Sequence, residues 1–307
     1  MEKESLGFVG LGLLGSALAE RILQSDVPLV IWNRTEGRAS ALTEMGAKEA
    51  NSIQELAEKS TIVLSCVTDD NALRDISRAI VSPPSSTTLH VSLSTVSPGT
   101  IKEIAKLHEY EKVDLVNCPV MGRPDMVRSG NASILLSGPV AAQGRATTVL
   151  ECMAHSLISV GTKIETASVF KLCLNYMLAL QIAGLSEAFR FVQAANSDED
   201  AFFRVFCNGP TASPVMRNYG EQILAQDFEP ALFKLKTGLK DMRLLEKSIG
   251  REKHAFLLDP LIEAFHSAAE RGYGDCDWTA VGTGVIAQSS NTVAQSEKEK
   301  PQLDNTA

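Results

Sequence analysis

Near the start of the chain, "GFVGLGLLGSALAERIL" sets Gly10, Gly12 and Gly15 in G-x-G-x-x-G spacing between an apolar run and an amphipathic helical pattern. No other feature constrains the fold as much. Gly10 permits a tight turn at a strand end, Gly12 lets backbone approach a bound group, and Gly15 lets the following helix pack close to the strand. The start of that helix offers N–H groups without intrahelical partners, which attract phosphate. Strand, turn and helix together predict a dinucleotide site; the plainer alternative is a glycine-rich turn with no ligand.

The alternation of strand and helix continues through the first half of the chain. Strand-like runs at 7–10, 29–33, 61–67, 88–93, 114–118 and 133–137 are separated by helical patterns at 14–24, 37–44, 52–59, 71–79, 98–110 and 141–153. Strand and helix in turn predict a parallel, doubly wound sheet. From about residue 166 the pattern is almost wholly helical, at 167–195, 198–208, 214–225, 232–249 and 260–271. The expected domains are therefore 1–162, a dinucleotide-binding α/β domain, and 163–287, an all-helical one. The polar stretch 288–307 lacks apolar periodicity and is expected to be disordered.

The 307 residues are 44% hydrophobic and 21% charged, enough to bury two cores. No run of about 18 apolar residues stands out, so no membrane span is expected. "MEKES" leads straight into "LGFVGLG" with no signal-peptide h-region, so no secretory signal is expected. Six scattered cysteines without a CxxC pair read as reduced thiols in a cytoplasmic compartment, most of them buried packing residues. A net charge of −8 without a Lys/Arg run gives no nucleic-acid footprint. The histidines have no metal-ligand spacing, and G-x-S-x-G is absent, which disfavours a metal site and a hydrolase.

The second strand ends "VIWNRTEGR". An NAD site usually carries Asp or Glu at the Asn33 position, on the ribose 2′-hydroxyl. Here Asn33 is followed by Arg34, Thr35 and, nearby, Arg38, so the usual carboxylate is not there to repel a 2′-phosphate, which can pair bidentately with Arg34. NADP(H) is the expected cofactor. Arg38 alone reads equally well as part of a solvated face.

Further on, "VFKLCLNYMLAL" places Lys171 inside a helix that looks buried, with Asn175 at i+4 on the same face. A carbonyl accepting hydride becomes an alkoxide and needs a proton or positive charge beside it, and a lysine in a dry cleft supplies both. The bland reading of such a lysine is one that snorkels at a helix edge. Cys173 falls about 200° round the helix from Lys171 and reads as core.

Four more segments complete a resemblance. "VSLSTVSP", "NCPVMG", "KLCLN" and "LFKLKTGLKDMRL" resemble the S-T-x-x-P, D-A-P-V-S-G-G, K-x-x-x-N and F…K-D-L segments of the β-hydroxyacid dehydrogenases, and "GYGDCDWTA" resembles their C-terminal G-x-G-D-x-D segment. Order and spacing fit from about residue 6 to 285. The group includes glyoxylate and succinic semialdehyde reductases and imine reductases, and is 6-phosphogluconate dehydrogenase-like. The resemblance implies a Rossmann domain, a long interdomain helix and an all-α domain, with the active site in the cleft between domains and a homodimer formed through the helical part. It implies Lys171 as the catalytic lysine and Asn175 as the residue that hydrogen-bonds the reacting oxygen. Ser94, Thr95, Met121, Gly122, Arg123, Phe233 and Asp241 would meet substrate. Gly10, Gly12, Leu13, Leu14, Gly15, Asn33, Arg34, Thr35, Arg38, Val67, Thr68, Thr95 and Lys240 would meet the cofactor.

The "NCPVMG" segment departs from the family. Met121 replaces a serine hydroxyl that would face the substrate carboxylate, and a thioether is a poor hydrogen-bond partner. Arg123 replaces a glycine. Either Arg123 pairs with an acid group, or the pocket has become apolar, or Arg123 points to solvent. Three readings result: an NADPH-dependent reductase of small aldehydes or keto acids, an imine reductase, and a nucleotide-binding module without turnover. Imine reductases of the group carry Asp or Tyr at the lysine position, so Lys171 favours carbonyl chemistry.

Overall fold

The computed structural model describes residues 5–249 and 255–283. Its larger sheet takes β1 (Leu6–Val9), β2 (Leu29–Trp32), β3 (Lys48–Glu49), β4 (Ile62–Ser65), β5 (Leu89–Ser92) and β6 (Asp114–Asn117) in the order β3-β2-β1-β4-β5-β6. Every neighbouring pair is parallel. The connecting helices are α1 (Leu13–Leu23), α2 (Ser40–Glu44), α3 (Ile53–Lys59), α4 (Asp70–Val81) and α5 (Pro98–Tyr110). This is the Rossmann order, which changes direction between β1 and β4 and opens its ligand crevice at their carboxyl ends.

Helices on both faces explain the near-continuous apolar strands. All residues of β1 and β4 are buried. Phe8, Ile31, Leu64 and Val91 pack with Leu18 and Ile22 of α1 on one face. On the other, Val9 and Val63 pack with Leu56 and Ile80. Each such side chain contributes roughly 1.5–3 kcal/mol by leaving water.

Residues 133–137 read in sequence as one more strand of the alternation, but they join a second sheet. It is built from β7 (Val120–Met121), β8 (Ser133–Leu136) and β9 (Ser156–Ser159), with α6 (Pro124–Arg128) and α7 (Val140–Leu150) between them, and β7 runs antiparallel to β8. Between β6 and β8 the chain forms β7, whose antiparallel pairing with β8 starts this second sheet.

The helical part consists of α8 (Thr166–Ala194), α9 (Glu199–Asn208), α10 (Pro214–Ala225), α11 (Leu235–Ile249) and α12 (Leu258–Glu270). The chain packs as two compact units, and the division falls inside α8, between Leu174 and Asn175. In the second unit Ile182, Phe189, Tyr219, Met242, Phe265 and Trp278 are all buried. Gly238 lets α11 approach closely, since a Cβ there would lie 2.7 Å from the Phe265 ring.

Three expectations change here. The helix expected from residue 232 begins at Leu235, because Asp277 draws the Leu232 and Phe233 N–H groups onto its Oδ2 at 3.1 Å each. Cys173 is exposed rather than core, and of the other cysteines only Cys118 is fully buried. Beside the Lys171 face, α8 carries an exposed apolar stripe that includes Phe170, Leu174, Met177 and Phe191. The same stripe makes α8 the one described helix long and apolar enough, by length and composition, to cross a membrane. Its polar face argues otherwise, because Asn175 is hydrogen-bonded to α11 of the same unit. The expected disordered stretch 288–307 lies outside the described residues.

Candidate active site

The glycine turn has the geometry its spacing predicts. Gly10 has φ +96°, and a Cβ there would run into the Cys66 carbonyl oxygen. A Cβ on Gly15 would run into the Gly10 carbonyl oxygen, so α1 sits directly on the turn. Gly12 has nothing within 4 Å of its Cβ direction and stands open. Gly12 also begins α1 without a side-chain cap. An open approach with first-turn N–H groups unclaimed by any cap fits a pyrophosphate. Leu13 is exposed and Leu14 half-buried at this edge.

Asn33 has a second task that the sequence did not reveal. Its Oδ1 accepts from the Leu11 N–H at 2.8 Å, and its Nδ2 donates to the Thr35 carbonyl at 2.9 Å. It therefore clips the end of β2 to the glycine turn. Arg34, Thr35 and Arg38 are exposed, and among the described residues neither arginine forms an ion pair. Arg38 lies in the turn before α2 rather than in the helix expected from residue 37.

Ser94 is fully buried at the end of β5. Its Oγ accepts from the Val67 N–H at 2.9 Å and donates to the Ser65 carbonyl at 3.4 Å. The hydroxyl thus ties the loops after β4 and β5 together. Ser97 anchors the same loop, donating its N–H and Oγ–H to Asp70 at 2.9 and 2.8 Å. Thr95 is half-buried between these anchors, and Thr68 is exposed on the neighbouring loop.

Met121 and Gly122 are half-buried at the end of β7, and Gly122 is tight, its Cβ direction 2.9 Å from the Ala132 Cβ. The Arg123 guanidinium, 15% exposed, donates to both Asp125 oxygens at 3.1 and 3.3 Å. Arg123 therefore pairs with an acid of its own chain.

Lys171 is 9% exposed. Its place on α8 is set by the helix start. Asn117 Nδ2 donates to the Ile164 carbonyl and the Ser168 hydroxyl, both at 3.0 Å, and Ser137 Oγ donates to the Ile164 carbonyl at 2.6 Å. An Asp in place of Asn117 could not donate to that carbonyl.

In the second unit, Asn175 Nδ2 donates to Asp241 Oδ2 at 2.7 Å, and Lys240 Nζ lies 3.0 Å from Asp241 Oδ1. Phe233 stacks edge-on against Trp278 at 4.5 Å. Buried Asp277 holds the Phe233 segment in place and also accepts from Thr279 N and Oγ1. Its only sequence signal is the "GDCDW" run, which by itself assigns it no role.

A buried chain of polar side chains runs through the main sheet. His108 Nδ1 is 2.8 Å from the Ile104 carbonyl, which can only accept, so His108 Nε2 is the acceptor for His90 Nδ1–H at 3.0 Å. His90 Nε2 then accepts from the Ser65 hydroxyl at 2.8 Å. Burial pushes both imidazoles down, His108 to about 4 and His90 well below its ordinary value with help from its neighbour. Among the described residues no cluster of His, Cys, Asp or Glu could hold a metal ion.

Two family models cover the chain. The NAD-binding domain of 6-phosphogluconate dehydrogenase matches residues 5–161, and the NAD-binding region of NADP-dependent 3-hydroxyisobutyrate dehydrogenase matches 166–283. The chain belongs to the β-hydroxyacid dehydrogenase family. It is an NAD(P)-binding oxidoreductase of that hydroxyacid dehydrogenase and reductase group. It is 29% identical to an uncharacterised oxidoreductase, YfjR, of Bacillus subtilis over 90% of this chain and 98% of that one. The solved 3-hydroxyisobutyrate dehydrogenase of Mycobacterium tuberculosis with L-serine shares the fold at a TM-score of 0.82 and 20% identity, over 92% of this chain and 99% of that one. The imine reductase of Myxococcus stipitatus with NADP+ shares it at a TM-score of 0.60 and 21% identity, over 92% and 99%.

Proposed function

We propose that this family member is an NADPH-dependent reductase of small aldehydes or keto acids, running reversibly as an alcohol dehydrogenase, with Lys171 as proton donor and acceptor. Lys171 carries the reading, since a buried ammonium one turn from a buried asparagine is costly to place and chemically useful. The bound nicotinamide supplies the hydride. As the carbonyl carbon takes that hydride, the Lys171 ammonium stabilises the charge growing on oxygen and gives it a proton, leaving a neutral amine that is reprotonated from solvent. Asn175 hydrogen-bonds the same oxygen. The balance is carbonyl, NADPH and a proton going to alcohol and NADP+.

Preference for the 2′-phosphate rests on Arg34, Thr35 and Arg38 near Asn33, a position that carries an amide in place of the carboxylate of an NAD site. Lys240 would add a cation to the cofactor. Thr95, Met121, Gly122 and Phe233 would shape the substrate site. One observation favours a neutral substrate, cyclic imines included: the Arg123 guanidinium already holds Asp125, and Met121 offers no hydroxyl. Against a module without turnover stand Lys171 and Asn175, both retained.

The working form in this reading is a homodimer covering the apolar stripe of α8, in a reducing, cytoplasmic compartment that suits its free thiols. The test is NADPH and NADH oxidation by purified protein against glyoxylate, succinic semialdehyde, a neutral aldehyde and a cyclic imine. The expected result is aldehyde turnover with NADPH preferred. Turnover of the imine alone would move the protein to the imine reductases, and tight NADPH binding with no turnover would favour the silent module.

A further inference from the structure

Asp241 is 1% exposed on α11 and faces two groups of its own chain. Its Oδ2 accepts from the Asn175 amide at 2.7 Å, and its Oδ1 lies 3.0 Å from Lys240 Nζ without a well-aligned hydrogen bond. A carboxylate surface that accepts only fixes which end of a primary amide can face it. Asn175 must turn its NH2 toward Asp241. Its carbonyl Oδ1 and second N–H remain, and among the described residues Asn175 makes no other side-chain hydrogen bond.

We infer that Asp241 is a positioning residue, acting on the reaction only through the Asn175 amide. This rests on the carbonyl-reductase reading of the site. A locked amide presents one donor and one acceptor in a fixed arrangement. The substrate carbonyl can only accept, and takes the N–H. The product alcohol can also donate, and takes Oδ1, which the carboxylate on the far side of the amide makes a stronger acceptor. Without the lock, either end of the amide can face the reacting oxygen. Lys240 beside Oδ1 offsets part of the cost of burying the carboxylate.

Asp241→Asn is nearly isosteric but can both donate and accept, so it releases the lock while keeping the packing. With the carbonyl the wild type turns over best, kcat should fall by roughly tenfold or more, while KM and NADPH affinity stay within about twofold. In an Asn175→Ala background the same change should cost no more than about twofold, because its route to substrate is gone. A rise in KM with kcat kept, or losses that multiply in the double variant, would mean that Asp241 touches substrate itself and would overturn the inference.

A second measurement needs no turnover. In full-length protein labelled with 15N-asparagine, the NH2 pair that vanishes in Asn175→Ala should have one proton far downfield, and Asp241→Asn should shift it back. A pair indifferent to Asp241→Asn overturns the lock. No carbonyl turnover with a pair that does respond sinks the carbonyl reading and upholds the lock.

Discussion

At the scale of single residues, the chain separates what identifies a site from what builds it. Gly10 and Gly15 could be read directly, because a Cβ at either would run into neighbouring backbone, and Gly12 from its spacing between them. Lys171 could be read because a charge in an apolar helix is conspicuous. The opposite holds for Asn33 and Ser94. Both read as ligand contacts, and their side chains also have structural tasks within the fold, on Leu11 and Thr35 and on Val67 and Ser65. Sequence spacing does not record where a hydroxyl or amide points. In the proposed reading, cofactor choice turns on Arg34. Arg34→Ala should weaken NADPH binding roughly tenfold or more, as expected for loss of a charge-assisted pair, and leave NADH nearly unchanged. Fluorescence titration of both cofactors checks this, and an equal loss for each would place the 2′-phosphate elsewhere.

At the scale of elements, the strands and helices were legible where periodicity was long, and illegible where short pieces depend on distant partners. β3, β7 and α6 are two to five residues each and carry no pattern of their own. The start of α11 was misplaced for the same reason, since it depends on Asp277, more than forty residues further on. Asp277→Ala would leave the half-buried N–H groups of Leu232 and Phe233 and the buried one of Thr279 without their acceptor, at a cost of about 3 kcal/mol in urea unfolding. Little change would show that the segment finds other partners.

The Ser65–His90–His108 chain links β4, β5 and α5 and works only with both imidazoles neutral. The unfolded chain takes up protons below the ordinary histidine pKa near 6.5 while the folded one resists until about 4 for His108. Stability from this pair is therefore present in full above pH 6.5 and lost as pH falls toward 4, by on the order of 3 kcal/mol for His108. Urea midpoints between pH 7 and 5.5 should drop, and His108→Gln should flatten the slope. A wild type with equal midpoints across that range would contradict the assignment of neutral rings.

At the scale of the whole molecule, the sequence carried fold class and family, because two motif-bearing halves each match a known pattern. It did not show which faces the chain leaves uncovered. Cys173 reads as core from its place about 200° round the helix from Lys171, yet it is exposed, as are Phe170, Leu174 and Met177 beside it. Met177→Glu should lower the mass of the particle toward that of one chain in sedimentation equilibrium while leaving the circular dichroism spectrum alone. A mass unaffected by the substitution would remove this stripe from any interface. Lys171 is the centre of the proposed chemistry, and the most direct test is Lys171→Ala in single-turnover NADPH oxidation with the best carbonyl substrate. A rate lower by about 10²–10⁴, with NADPH binding intact, is the predicted result for loss of a general acid. A rate equal to that of the wild type would contradict that role, since the buried lysine would then have no part in the chemistry.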